Sequence, residues 1–547
     1  MVYKSKIPAV NEPTIGFLQF LFENEFKISQ DKPLLIDALD TTRFLTFPQI
    51  KKLTLQFGAG LQDVCHFKKG DVLAIYAPNQ YDYAIPIYGA IAASGAVTTI
   101  NPNYNIEEIH YQLSETESKV LIFHYDNADV ALAAGTRAGI DRKNMFVFGD
   151  QAIKGVQPFR SMLLNAREAV LEDLTHKQCK NRIALLCFSS GTGGNSKGVM
   201  TTHANLTSNI TQYAAFKKNV LNSKDSSRML TVLPFYHAFG LMVNLNYGLY
   251  FGIPNYILKH FDIVNFCKAI QEHRITFTTI VPPICILLAR HNIVLNYDLT
   301  SLKAAFCGAA PLSYELLNET MTRLPHLIIR QLYGSTETSP LVTIEPVDKV
   351  VGGSVGILLP NMTAKIMGDD GHEITRYGER GELWLKGPNI MKGYFNNPGA
   401  TAESIDSDGY LHTGDIVLTD RNEHFFIVDR KKELIKYKGF AVAPAEIEGI
   451  LLTHPMIDDC AVIGVYNDDQ ATEDPRAYVV LRNPAAASEE TGRMIMKYVT
   501  DQVVYYKQVR SIRFVSVIPK NPSGKILRRI LREDAKNENI KACSSKL

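Results

Sequence analysis

The chain has 547 residues, 46% hydrophobic and 21% charged, with 36 Gly and 25 Pro, which excludes collagen-like and low-complexity sequence. Fifty-eight basic residues against 56 acidic ones leave a formal charge of +2, which argues against a dedicated nucleic-acid or polybasic membrane surface while leaving room for a local patch. The 8 Cys are scattered and form no CxxC, so a disulfide or zinc framework is not expected and a reducing compartment is the simpler reading.

The length allows three or four domains, or one large domain and a small one. Residues 1–11 lack the apolar core of a signal peptide. The apolar run 83–97 is broken by Pro86, Ser94 and Gly95 and is too short to span a membrane. Residues 71–76 (DVLAIY) read as a buried strand, followed by a helical stretch from Tyr81. A strand at 96–100 ends at Asn101-Pro102; 106–115 is helical and 119–123 is again a strand. The same rhythm returns at 182–188 and 276–282. Alternating strands and helices of this kind predict an α/β fold with parallel sheets covered by helices.

After about residue 350 the pattern changes. Residues 381–386 and 423–429 predict strands of a smaller β-rich subdomain. The charge run DRKKE at 429–433 reads as a polar, exposed turn and a candidate domain boundary. Beyond it, a helix at 442–452, strands at 461–465 and 477–481 and a helix at 491–504 suffice for a compact α+β domain. The expected division is 1–428, a hinge at 429–433, and a small mobile domain at 434–547.

The most informative segment is FSSGTGGNSKGV at 188–199. Its Gly, Ser and Thr residues follow an apolar strand and suggest a loop whose N–H groups and hydroxyls face a phosphate, with Lys197 adding charge. A Walker A loop is excluded, because Ser196 precedes the Lys and Gly198 follows it. A dinucleotide fingerprint is excluded by Ser196 at its sixth position. Residues 199–202 look like another strand, so no helix N-terminus follows to hold the anion. The same composition also suits a flexible surface turn.

Residues 189–198 resemble the phosphate loop of the acyl-adenylate-forming superfamily, which includes acyl-CoA synthetases, 4-coumarate–CoA ligases and firefly luciferase. The usual loop has Thr at the position of Gly193 and Pro at that of Ser196. The resemblance extends in family order through LPFYHAFG at 233–240, GAAPLS at 308–313, YGSTE at 333–337, GELWLKG at 381–387, MKGY at 391–394, YLHTGD at 410–415, Asp429-Arg430, KYKG at 436–439 and PSGK at 522–525.

The resemblance implies a two-step ligase using ATP, Mg²⁺ and coenzyme A. A small-molecule carboxylic acid attacks the α-phosphorus and expels pyrophosphate, and the acyl-AMP then passes its acyl group to the thiol. Lys525, His237, Thr336 and Glu337 are the implied catalytic residues, with Glu337 holding the metal. Ser189, Ser190, Gly191, Thr192, Gly193, Gly194, Lys197, Tyr333, Gly334, Asp415 and Arg430 are implied for the nucleotide. Tyr236, Phe239, Gly308, Ala309, Ala310 and Leu332 would line the acyl slot. Asp429 would be the hinge, and Lys436, Lys438 and Gly439 would move toward the site in the thiol half-reaction. Leu332 stands where the plant ligases have Gly, which weighs against a strict hydroxycinnamate specificity and for a medium-chain fatty or aryl-alkanoic or cinnamic-type acid. A luciferase-type monooxygenase or a non-catalytic acyl-binding relative would share many of these motifs. Ser545-Lys546-Leu547 reads as a peroxisomal address for an import receptor, so the expected location is the peroxisome. No nucleic-acid partner and no membrane span are expected.

Overall fold

The computed structural model describes residues 1–23, 28–164, 167–189, 196–217, 227–346, 350–438, 440–467, 470, 472–521 and 524–544. Among these, one sheet runs in the order Met145–Val147, Val120–Phe123, Val72–Tyr76, Ala96–Ile100, Ile183–Ser189, Lys197–Thr202. Its neighbours are parallel except for the last pair, where Ser189 faces Lys197 across an antiparallel ladder. A larger sheet carries a parallel centre built from Ile328–Gly334, Ala304–Cys307, Phe277–Ile280, Met229–Thr231, Asn255–Ile257 and Pro33–Asp37, with antiparallel strands at both edges.

These central strands are continuous apolar runs because helices cover them. Val72–Tyr76 is buried at every position. One apolar core joins both sheets and the helices between them, and includes Phe57, Tyr88, Phe159, Tyr247 and Phe306. Each fully buried aromatic of this kind contributes roughly 1.5–3 kcal/mol. The helix Ile106–Glu115 shows how local sequence sets its own boundary. Asn105 accepts from the Glu108 amide at 3.0 Å, and Glu108 returns the bond to the Asn105 amide at 2.9 Å.

The β-rich piece is an antiparallel sheet of Tyr3–Lys4, Thr363–Met367, Gly381–Lys386, Leu411–Thr419 and Phe425–Arg430. The N-terminal strand of this sheet carries no pattern in the sequence, because its partner lies far along the chain: Tyr3 pairs with Ala364. The C-terminal domain has a hairpin of Ile435–Tyr437 and Phe440–Val442, and a sheet of Ile457–Asn467, Thr472–Leu481 and Ser511–Phe514. The helices Pro444–Thr453 and Glu489–Thr500 complete its core.

Several predicted bounds move for physical reasons. The strand expected over 276–282 ends at Ile280, and Pro282 opens the helix Pro282–Arg290, because Pro lacks the ladder donor but suits a helix start. The helix expected from 442 begins at Pro444 for the same reason, with Val442 closing a strand. The two C-terminal strands are longer than expected, since they pair with each other over nearly their full length. Among the described residues, no helix is long and apolar enough to cross a membrane.

Candidate active site

Three strand ends assemble the site. The strand Ile328–Gly334 delivers Leu332, Tyr333 and Gly334, with a register shift between the last two. Gly334 is required there, because a Cβ would fall 1.8 Å from the Pro340 carbonyl oxygen. That close approach bends the chain into the short turn Thr336–Thr338, which presents Thr336 and Glu337, both half-buried. Glu337 is bonded from below: the Tyr394 hydroxyl donates to its Oε1 at 3.1 Å, and its own carbonyl takes the Met391 amide at 2.8 Å. Lys197 Nζ lies 4.8 Å from the centre of the Tyr394 ring, a cation–π distance. Tyr394 therefore links the end of the predicted phosphate loop to the predicted metal ligand. The sequence contained it within MKGY at 391–394 but gave no sign of this role.

Ser189 and Lys197 face each other at the mouth of the loop. Ser190, Gly191, Thr192, Gly193 and Gly194 lie outside the described residues, as do Gly439 and Ser545-Lys546-Leu547.

The antiparallel pair Leu411–Thr419 and Phe425–Arg430 sets Asp415 directly opposite Arg430. Arg430 Nε stands 3.3 Å from Asp415 Oδ1. The Tyr333 hydroxyl donates to Asp415 Oδ2 at 2.6 Å. Burial, and then the Asp415 carboxylate, push the Tyr333 phenol well above its ordinary pKa, so it stays a donor. Asp429, expected in an exposed polar turn, is buried instead, at 5% exposure. It belongs to the strand Phe425–Arg430, and the turn begins only at Lys431. Its carboxylate takes the Arg430 amide at 2.7 Å and the Ala445 amide at 2.9 Å, which bonds the end of the sheet to the first turn of Pro444–Thr453. The charge pattern gave no means of separating the buried Asp from its exposed neighbours.

Lys525 reaches this cluster from the C-terminal domain. Its amide donates to Asn521 Oδ1 at 2.9 Å, and its carbonyl accepts from the Asn521 amide at 2.9 Å, which closes a tight turn. The turn seats on the large domain: a Cβ on Gly524 would come 2.9 Å from Pro283 and 3.2 Å from Val281. Burial, reinforced by the Arg430 guanidinium, lowers the Lys525 ammonium to about 8, and Asp415 and Glu433 oppose that shift. Lys525 also acts on His237, whose imidazole is pushed to about 4, first by desolvation and then by the nearby ammonium. His237 is therefore neutral at ordinary pH, with Nδ1 accepting from the Phe239 amide at 3.4 Å. The electrostatic reach of Lys525 thus covers both Asp415 and His237.

Beside His237, Phe239, Gly308 and Leu332 converge. A Cβ on Gly308 would lie 2.6 Å from Leu332 Cδ1 and 3.4 Å from Phe239 Cε1, so the missing side chain is what lets Leu332 lie across the strand end. Ala309 is exposed in the left-handed region at φ 68, and Ala310 is half-buried. Tyr236 is half-buried, and its carbonyl accepts from Thr99 Oγ1 at 3.1 Å.

Lys436 and Lys438 are not brought to this cluster. Both are exposed, and their amides bond Glu473 at 2.7 Å and Thr472 at 2.6 Å within the C-terminal domain. Among the described residues no cluster of three or more His, Cys, Asp and Glu could hold a metal unaided. One carboxylate with a neighbouring hydroxyl still fits Mg²⁺, which keeps waters and takes its other ligands from substrate phosphates.

The arrangement thus offers an acceptor for paired hydroxyls, a carboxylate for a hard cation, and a buried ammonium from the C-terminal domain near a small apolar slot. Comparison with known proteins shows the family. A family model described as AMP-binding enzyme matches residues 22–395, and one described as AMP-binding enzyme C-terminal domain matches 446–525. A 4-coumarate-CoA ligase of Narcissus pseudonarcissus is 36% identical, with 97% of this chain and 96% of that protein covered. Phenylacetyl-CoA ligase epaB of Aspergillus niger is also 36% identical, with 97% and 99% covered. Among solved structures, an anthranilate CoA ligase in complex with anthranoyl-AMP superposes with TM-score 0.85 at 23% identity, covering 96% of this chain and 98% of its own. ATP-bound MatB from Rhodopseudomonas palustris superposes with TM-score 0.82 at 25% identity, covering 94% and 98%.

Proposed function

Since the chain belongs to the AMP-binding enzyme family, and is an ATP-dependent, AMP-forming acid–CoA ligase, we propose that its acid is an aryl-alkanoic, cinnamic-type or medium-chain fatty acid. The observation that carries this reading is the meeting of Leu332, Gly308 and Phe239 beside His237. An apolar, narrowed slot suits a flexible or slender acyl chain better than a broad, polar ring. The relatives named for 4-coumarate and phenylacetate fall in the same chemical range.

We assign the residue roles that the family resemblance implies and that the geometry supports. Asp415 accepts the ribose hydroxyls, and Tyr333 presents its ring to adenine. Glu337 and Thr336 would hold Mg²⁺, which would supply charge neutralisation for the departing pyrophosphate. Neutral His237 orients the acid at the slot mouth. Lys525 places its ammonium between the carboxylate and the α-phosphate. An acid oxygen bonds to phosphorus as the bond to pyrophosphate breaks, and the cation offsets the charge that develops there. In the second half the thiol sulfur of coenzyme A bonds to the acyl carbon and AMP departs. We assign Asp429 as the hinge about which the C-terminal domain withdraws Lys525 and brings Lys436, Lys438 and Gly439 inward. We further assign Ser545-Lys546-Leu547 as an address read by the peroxisomal import receptor.

The test is pyrophosphate release with ATP and Mg²⁺ across fatty, phenylacetic and cinnamic acids, with and without coenzyme A. Release that coenzyme A accelerates for an apolar chain or a slender aryl-alkanoic acid supports the substrate reading. Preference for a small polar ring acid overturns it. A fluorescent fusion with and without the last three residues tests the address.

A further inference from the structure

The helix Pro282–Arg290 meets the C-terminal domain at both of its ends. At the start, Pro283 and the preceding Val281 lie under Gly524, next to Lys525. At the far end, Arg290 reaches across to main-chain carbonyls. Its Nη2 donates to the Leu452 oxygen at 2.9 Å, and its Nη1 donates to those of Ile457 at 3.3 Å and Asp458 at 3.5 Å. The guanidinium is neutralised on its own side of the interface. Nε lies 3.0 and 3.2 Å from the two oxygens of Glu319, and Nη2 lies 2.9 Å from one of them. Glu319 belongs to the helix Tyr314–Arg323, whose cap residue Ser313 packs close to Gly449.

The acceptors suit a cation. Leu452 is in the last turn of the helix Pro444–Thr453, where carbonyls lack intrahelical partners and the helix dipole is negative. Asp458 lies in the register shift between Ile457 and Asp459, where the ladder is interrupted. The Ile457 oxygen is shared with Arg482 Nε at 3.3 Å.

We propose that Arg290 is a positioning residue for acyl-adenylate formation. By clasping the end of Pro444–Thr453 it holds the C-terminal domain in the pose that keeps Lys525 beside Asp415, Arg430 and His237. The inference rests on the role given above to Lys525. The clasp is built to release. It pairs no charge across the interface, so when the domain leaves, Glu319 stays with Arg290 and no buried ion is stranded. The freed carbonyls take water instead. A two-point hold on one helix, at the lysine turn and at the clasp, also fixes the rotation of the domain, which a single contact would not.

The experiment compares Arg290→Ala, Arg290→Lys, Glu319→Gln and Lys525→Ala in two separate half-reactions, with thermal unfolding alongside. The first is ATP–pyrophosphate exchange with the acid that releases pyrophosphate fastest in the panel above. The second is thioester formation from that acid's synthetic adenylate and coenzyme A. Arg290→Ala is expected to slow exchange about tenfold, the loss of one strong charged hydrogen bond, while thioester formation from the adenylate holds or rises. Arg290→Lys should recover part of the loss. Equal loss in both half-reactions, or no loss in exchange, overturns the clasp. If Lys525→Ala leaves exchange intact, the lysine role fails, and the clasp fails with it. If Arg290→Ala does not fold, Glu319→Gln reads the same ratio, since it removes the carboxylate charge and leaves a single oxygen to accept from the guanidinium, which loosens it.

Discussion

The hydroxyl of Tyr333 donates to Asp415 at 2.6 Å while Arg430 stands 3.3 Å from the other carboxylate oxygen. The large sheet and the β-rich sheet are thus joined at one acidic side chain, with both of its oxygens already oriented. A carboxylate held in this way is preorganised for paired ligand hydroxyls.

Asp415→Asn keeps the shape and removes the charge. It is expected to raise the KM for ATP about tenfold to a hundredfold, the range for a lost charged hydrogen bond. Melting should change little, because Arg430 is 38% exposed and can turn to water. Steady-state kinetics at saturating acid would check this. An unchanged KM would remove Asp415 from nucleotide binding.

Lys525 gives a pH signature. Its working form is the cation, and burial beside Arg430 lowers the ammonium to about 8. The proton is therefore held below that pH and lost above it. The kcat/KM for pyrophosphate release, which reports the free enzyme, should be level below pH 8 and fall above it. Lys525→Arg should abolish that fall. Lys525→Ala should lower the rate about a hundredfold to a thousandfold, as expected when a group stabilising transition-state charge is lost. His237, held near 4 by burial and by Lys525, adds no step above pH 5.

The architecture was legible because its cues are local. Apolar runs such as Val72–Tyr76 and the Asn105 cap write strands and helix starts into a few adjacent residues. The resemblance to the acyl-adenylate-forming superfamily likewise implies one site for Tyr333, Asp415, Arg430 and Lys525, which no local pattern marks. What stayed hidden depends on pairings across long sequence distances. Nothing near Tyr3 announces its pairing with Ala364. Nothing near Arg290 points to Leu452. Asp429 reads as one charge among several, and its burial follows from an amide sixteen residues on, at Ala445.

Tyr394 should tune the metal requirement. Its hydroxyl donates to Glu337 at 3.1 Å, which orients the carboxylate and leaves its other oxygen available. Tyr394→Phe keeps the ring beneath Lys197 and deletes the hydroxyl's bonds to Glu337 and to Ser404, of which the first, worth about 1 kcal/mol, bears on the carboxylate. The Mg²⁺ concentration for half-maximal pyrophosphate release should rise about fivefold, with the acid preference unaltered. A shift in acid preference instead would place Tyr394 in the acyl slot.

Leu332 should govern the acid. Its Cδ1 lies where a Cβ on Gly308 would stand only 2.6 Å away, and Phe239 bounds the same space at 3.4 Å. Leu332→Gly removes the only large side chain of that pair and should widen the slot toward bulkier ring-substituted acids, with a loss of about tenfold for slender chains that use the Leu332 surface. A few buried methylenes are worth about that much discrimination. Gly308→Ala should do the reverse, since Leu332 must move before the new methyl fits, and should depress turnover of every ring acid while sparing ATP binding. Competition between a linear acid and a ring-substituted acid in one reaction, read by the thioesters formed, separates the two outcomes. If both variants keep the wild-type ratio, the acyl group lies elsewhere and the slot between Phe239 and Leu332 is only core packing.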